Sequence, residues 1–186
     1  MALNQFISLI SSGSFARKNN YDVTITPPAG TGGFYAAYPD YLNMRCESIT
    51  LPGTNVSSTN DDIRIGPGRE HVFNVTFNPV TAVFLCNDWL TEKVFFEEWQ
   101  SLSFDTESFA IGYYKNYIGS ILIKQKNDKN QVTYTAELLE VFPKSVSALE
   151  FATDAQDLQK LSVEFAYRRW INVVEKPAGR PKQGVS

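Results

Sequence analysis

The chain has 186 residues, a net charge of −3, 43% hydrophobic residues and 13% aromatic residues. That length is about one domain, large enough to bury a core without cross-links, and the composition is not that of a disordered segment. The slightly acidic balance excludes the clustered Lys and Arg by which a protein wraps a duplex, and two cysteines, Cys46 and Cys86, exclude a disulfide framework.

The first residues, Met1 to Ile7, lack the basic region and apolar run of a secretory signal, and no stretch approaches the ~20 apolar residues of a membrane span. The expectation is a chain kept in a reducing cytoplasm with two buried free thiols.

Taken in chain order, strand signals dominate. Tyr21, Val23 and Ile25 alternate with Asp22, Thr24 and Thr26, a period of two that sends alternate side chains to opposite faces. Pro27 to Tyr41, with Gly30, Gly32, Gly33 and Pro39, reads as a long loop. Leu42 to Ile49 reads as a second strand. Leu51 to Arg69 holds Pro52, Gly53, Gly66, Pro67, Gly68 and a polar run, and reads as a second long loop. His71, Phe73, Val75 and Phe77 then alternate with Val72, Asn74 and Thr76 as a strand.

Asn87 to Leu102 breaks the pattern. Trp89, Phe96 and Trp99 fall on one helical face, Glu92, Lys93, Glu97 and Glu98 cover the other, and Asn87 or Asp88 can cap the first N–H groups. Ile118 to Lys126 and Gln131 to Phe142 flank the turn cluster Asn127-Asp128-Lys129-Asn130 and predict a β-hairpin. Leu161, Val163, Phe165 and Tyr167 alternate with Ser162, Glu164 and Arg168 in a strand running to Trp170. Together these predict one mainly β domain over residues 1–175, a β-barrel or sandwich with one flanking α-helix, and a flexible tail over residues 176–186.

Catalytic chemistry is sparse. His71 is the single histidine, and no Cys/His grouping has zinc-ligand spacing. Gly30-Thr31-Gly32-Gly33 lacks the Lys-Ser/Thr that completes a phosphate loop. Glu97 and Glu98 are adjacent on a helix and point apart. Arg168-Arg169 and the tail's Lys176, Arg180 and Lys182 carry no nucleic-acid-binding signature. The reading is a structural or binding protein with no catalytic, cofactor or metal site.

The order of segments resembles the tail tube proteins of contractile-tailed bacteriophages. Ser14-Phe15-Ala16-Arg17-Lys18-Asn19-Asn20-Tyr21-Asp22-Val23 is similar to that family's opening, with Lys18 where proline is usual. Met44 to Gly53 resembles its strand ending in Leu-Pro-Gly. Phe73 to Phe77, Asn87-Asp88, Phe96 to Ser101, Val141-Phe142-Pro143-Lys144-Ser145-Val146 and Leu161 to Trp170 follow in the family's order. The likeness runs from Ser14 to Trp170. Departures are the Pro27–Tyr41 loop, an aromatic insert from Phe109 to Tyr117, and the tail after Trp170.

What the resemblance implies is a tail-tube-type barrel that forms hexameric rings, stacked inside a contractile sheath around a channel for DNA passage during genome ejection. The implied partners are further copies of the chain, the tail sheath, and baseplate and tail-terminator proteins. Tape-measure protein and DNA would pass through the lumen without tight binding. The implied location is the virion tail, assembled in the host cytoplasm. The long loop supplies the expected inter-ring residues Thr54, Asn55, Ser57, Asp61, Asp62 and Arg64. Asp22, Glu47 and Glu164 are the expected lumen residues, with Arg45 and Arg168 in position to offset them. The alternatives are a baseplate tube initiator, an injection-tube protein of a bacterial contractile system, and a non-viral β-barrel ligand-binding module.

Overall fold

The computed structural model describes residues 16–28, 38–61, 68–153 and 157–173. Among these it places nine strands and three helices. The strands are β1 (Tyr21–Thr26), β2 (Cys46–Ile49), β3 (Thr54–Asp61), β4 (Arg69–Phe77), β5 (Val80–Leu85), β6 (Gly119–Lys126), β7 (Val132–Val146), β8 (Lys160–Ala166) and β9 (Arg169–Asn172). The helices are α1 (Tyr38–Met44), α2 (Thr91–Ser101) and α3 (Tyr114–Tyr117).

Seven strands form one antiparallel sheet in the order β1-β6-β7-β8-β5-β2, with β9 on β7. β7 is 15 residues long and is shared: its first part pairs with β6 and β9, its last part with β8. The sheet therefore folds over along β7 and stops short of a closed barrel. β1 and β2, its two ends, face each other across a gap bridged by side chains. The Tyr21 hydroxyl lies 2.6 Å from the Glu47 carbonyl and 3.0 Å from that of Cys46, and the Ile25 N–H donates to Asn43 Oδ1. Exposed strand edges left unpaired invite pairing with another chain, and these contacts cover only part of theirs.

The period-two patterns become the core. Val23, Ile25, Ile121, Ile123, Leu138, Val141, Ala82, Phe84, Leu161, Val163 and Phe165 all point inward and are buried. Phe95, Phe96 and Trp99 of α2 complete the same cluster, with Phe96 5.0 Å from Phe84 and 5.7 Å from Phe165 between ring centres.

Several expectations change. The strand expected to begin at Leu42 is helical as far as Met44, and only Cys46–Ile49 is extended. The flanking helix starts at Thr91, and Trp89, expected to face inward, is 84% exposed in the turn before it. The cap explains the late start. Leu90 takes a left-handed φ of 50°, while Asn87 Oδ1 accepts the Thr91 N–H and Glu92 Oε2 accepts the Asn87 N–H. Helical geometry cannot extend back through that reciprocal turn. The strand expected to run to Trp170 breaks after Ala166, and Arg169–Asn172 turns away to pair with β7. Both thiols are free and only partly buried. The tail expected over 176–186 lies outside the described residues.

Candidate assembly surfaces

The segment from Leu51 to Arg69, expected to be a loop, contributes a strand instead. β3 and β4 pair from Thr54↔Phe77 to Asp61↔Arg69 as a separate two-stranded sheet, with a register shift between Ser57 and Ser58. It continues the β2–β5 pair outward beyond the Leu51-Pro52-Gly53 bend. Its base is tied down: the Trp170 indole N–H donates to Thr54 Oγ1 at 3.1 Å, the Tyr167 hydroxyl to the Asn78 carbonyl at 2.8 Å, and Asn55 Nδ2 to Asn78 Oδ1 at 2.6 Å. Beyond the base, its apolar side chains stay exposed among the described residues. Val56, Val72, Phe73 and Val75 are all about half exposed or more, with Phe73 at 67%. The pairing puts Val56 opposite Val75, and Val72 opposite Ser58, on one face. Phe73 falls at the register shift beside them. The sequence showed the apolar alternation of β4 but not that its face stays exposed among the described residues.

The expected inter-ring residues sort accordingly. Thr54 and Asn55 anchor the hairpin base through the bonds above. Ser57 lies mid-strand opposite Asn74, where the register shifts. Asp61 closes β3, and Asp62 and Arg64 lie outside the described residues. His71 sits exposed on β4 opposite Thr59.

The expected lumen carboxylates are not brought together as a trio. Glu164 on β8 and Glu47 on β2 lie on the outward face of the β2–β5–β8 half. That face alternates with buried Ala82, Phe84, Leu161, Val163 and Phe165 and also carries Ser48, Thr81, Val83, Leu85, Lys160, Ser162 and Ala166. Asp22 lies on the outward face of the β1–β6 half, opposite Lys124. Every one of the three carries a lysine: Glu47 with Lys160 at 2.6 Å, Glu164 with Lys144 at 3.1 Å, and Asp22 with Lys126. The β2–β5–β8 face is thus hydroxyl-rich with two matched ion pairs. The two expected offsetting arginines are engaged elsewhere. Arg45 turns to the buried Glu92 at 3.2 Å and stacks on Tyr41, and Arg168 binds Glu140 at 2.7 Å.

Reactive chemistry finds no footing in the two thiols. Burial pushes Cys46 up to about 12 and raises Cys86 as well, so neither is a thiolate near neutral pH. No group of three or more metal-binding side chains occurs among the described residues. Arg168 and Tyr114 hydrogen-bond the Glu140 carboxylate and hold it below the usual carboxylate range. That group is partly buried on a strained residue of β7 (φ 57°), where the register to β6 shifts.

A folded-over antiparallel sheet with one core-plugging helix, unpaired end strands and a projecting two-stranded arm defines a tail-tube-type fold. The sequence profile of the phage tail tube protein family matches residues 16–173, and the chain belongs to that family. No curated protein matches the sequence. Among solved structures, a chain of the anti-feeding prophage baseplate, 6-fold symmetrised, superposes with a TM-score of 0.63 at 9% identity, covering 87% of this chain and 97% of that one. A chain of the sheath-tube complex of an extracellular contractile injection system gives 0.59 at 14% identity, covering 89% and 95%. A chain of the anti-feeding prophage tube-terminating cap gives 0.61 at 12% identity, covering 86% and 91%. By that family the chain is a structural tail tube protein and not an enzyme.

Proposed function

We propose that the chain is the tube subunit of a contractile phage tail, that six copies close into a ring, and that rings stack into a tube through which DNA leaves during genome ejection. The observation that carries this reading is the β3–β4 arm. A two-stranded sheet alone in water is marginal, and among the described residues this one exposes an apolar face of Val56, Val72, Phe73 and Val75. A neighbouring ring is the partner that an open-ended stack supplies at every level. Thr54, Asn55, Ser57, Asp61, Asp62 and Arg64 belong to the stacking contact in this reading, with Val56, Val72, Phe73 and Val75 as its apolar part.

The hydroxyl-rich face of β2, β5 and β8 is the better channel wall. Its acids are neutralised one for one by Lys160 and Lys144, so it neither grips a polyanion nor strongly repels it. Glu47 and Glu164 line the bore in this assignment, and Asp22 lies away from it. Sheath, baseplate and terminator proteins are the outer and end partners, and tape-measure protein fills the bore before DNA. Assembly takes place in the host cytoplasm and the product is part of the virion tail. The test is electron microscopy of the purified chain: stacked rings support the reading, and a stable monomer at every concentration and salt overturns it.

A second reading has a specific observation behind it. The structural likenesses above are to anti-feeding prophage and extracellular injection-system chains. The same tube could therefore serve a bacterial injection system, with protein cargo in place of DNA. Sequencing the genes on either side separates the two: capsid and packaging genes support the phage tail, and their absence supports the injection system.

A further inference from the structure

Between α2 and α3 the chain makes a closed excursion whose form its own fold does not require. Phe104 bridges Ile111, the Gly112 N–H donates to the Ser103 carbonyl at 3.0 Å, and the Asp105 N–H donates to the Ala110 carbonyl at 3.0 Å. Asp105 braces the tip, accepting the Glu107 N–H and the Ser108 hydroxyl. Gly112 is demanded by the closure, since a Cβ there would stand 2.2 Å from the Leu102 carbonyl oxygen. This braced loop presents Phe109 at 74% exposure and Ile111 at 82%. Phe109 is also held at a φ of 55°, a conformation bulky residues avoid. Its ring meets Phe104 edge to face, 5.9 Å between centres, and its N–H donates to the Asp105 carbonyl, yet most of the side chain stays in water.

Across the molecule lies a matching recess. The gap between β1 and β2 opens into a cleft of about 700 Å³ floored by Tyr21, Ile49, Leu51 and Ile123, with Lys18 on its rim. Leu51 is 53% exposed there. The two surfaces carry opposite charge. From Lys93 to Glu107 the chain holds four acids, Glu97, Glu98, Asp105 and Glu107, against the single cation Lys93. Around the cleft end of β1 and β6, Arg17 pairs with Asp128 and Lys126 with Asp22; of the other cations, Lys18, Lys124 and Lys129, Lys18 is the one that lines the cleft. Glu47, also at the cleft, is taken by Lys160. The insert leads into Gly119, beside the Thr26 end of β1, whereas the cleft lies at that strand's Tyr21 end. Knob and recess therefore sit at opposite ends of β1. Between copies they make a heterologous contact, the kind that closes a ring.

We propose that the insert is a ring-closing knob: Phe109 and Ile111 of one copy seat in the β1–β2 cleft of the next, steered by Glu107 and its neighbouring acids toward Lys18. This rests on the ring-forming reading above. The occupant is a second copy of this chain, chosen for the charge match across the two surfaces.

The test uses the full chain with Cys46 and Cys86 replaced by alanine, and Phe109→Cys and Leu51→Cys introduced singly and together. Assembled material is oxidised and run on a denaturing, non-reducing gel. The expected result is a covalent ladder in the double variant that stops at a fixed number of copies, and none in either single variant. A double variant that forms normal tubes under the microscope yet runs as a monomer overturns the knob while leaving the tube reading intact. Failure of the parent chain to form any ring or tube overturns the tube reading, and the knob with it. Independently, Glu107→Lys should raise the concentration for half-assembly at least tenfold at low salt, and Lys18→Glu in the same chain should restore it. Absence of that rescue counts against the charge match.

Discussion

Gly119 lies directly against the Trp99 indole: a Cβ at residue 119 would stand 2.8 Å from Trp99 Cζ2 and 2.4 Å from the Thr26 carbonyl oxygen. The indole N–H donates to the Tyr117 carbonyl at 2.7 Å, two residues before that glycine. One aromatic ring thus fixes how the helix, the start of β6 and the end of β1 meet. Trp99 is fully buried.

Replacing either partner should be costly, by different routes. Gly119→Ala overpacks the contact and should destabilise the chain by ~1–3 kcal/mol. Trp99→Ala leaves a cavity and should cost ~3–5 kcal/mol. Urea denaturation of the monomer reads both. A Gly119→Ala chain as stable as the parent would show that this contact relaxes freely.

The thiols make a prediction about pH. Burial holds Cys46 at about 12, above its ordinary 9.0. The folded thiol keeps its proton while the unfolded chain loses its own. The stability this group contributes is therefore full below pH 9 and is lost as pH rises from about 9 toward 12. Cys46→Ala should flatten part of that alkaline decline, measured as the difference between the two chains so that Lys and Tyr titration cancels. At pH 8 Cys46 should also resist iodoacetamide in the folded chain. Rapid alkylation there would contradict its burial.

The arm separates folding from assembly. Val72 and Phe73 touch little in the monomer, so Val72→Thr with Phe73→Ser should leave its stability within about 0.5 kcal/mol. Tubes should shorten or disappear. Removing residues 54–62 should have the same outcome, a folded body that does not stack. Tubes of normal length from either chain would show that the arm's apolar face is not a stacking surface.

How far the sequence exposed this architecture depended on which side of each strand met the core. β1, β6, β7 and β8 bury one face, so Val23/Ile25, Ile121/Ile123 and Leu161/Val163/Phe165 announce themselves by a period of two. β3 buries neither face. Thr54 to Asp61 has no apolar alternation to read and looks like a loop, although its backbone pairs with β4 throughout. Helical spacing alone carries the helix back through Trp89, whereas the local bonds of Asn87 and Glu92 start it two residues later. The same turn chemistry put Arg45 onto Glu92, which no strand-register argument could foresee. Glu164 takes its lysine from the neighbouring strand β7, and Glu47 takes Lys160 from β8, across β5, so both pairs appear only once the strand order is known. The family resemblance supplied what periodicity could not: the expectation of further copies of the chain to cover the sheet edges and the arm.

The channel wall gives the last prediction. If the β2–β5–β8 face lines the bore, its neutrality comes from Glu47 holding Lys160 and Glu164 holding Lys144. Neutralising both acids, Glu47→Gln with Glu164→Gln, leaves two unmatched cations per subunit, repeated around every ring. At ~0.15 M salt a charge is felt over only ~8 Å, so these cations act on whatever touches the wall. Assembled tubes of the parent should bind DNA weakly across a salt series. Tubes of the double variant should bind it with a log K that falls linearly with log salt, by ~0.7–0.9 per phosphate engaged. Asp22→Asn frees Lys126 in the same way but on the β1–β6 half, and so should leave DNA binding unchanged. Because these carboxylates are exposed and their ion pairs contribute little to stability, all three variants should still fold and assemble. Gain of DNA binding by Asp22→Asn and none by the double variant would place the bore on the other half of the sheet. Tight, salt-steep binding by the parent itself would mean a wall that grips DNA, and passive passage through a neutral bore would have to be given up.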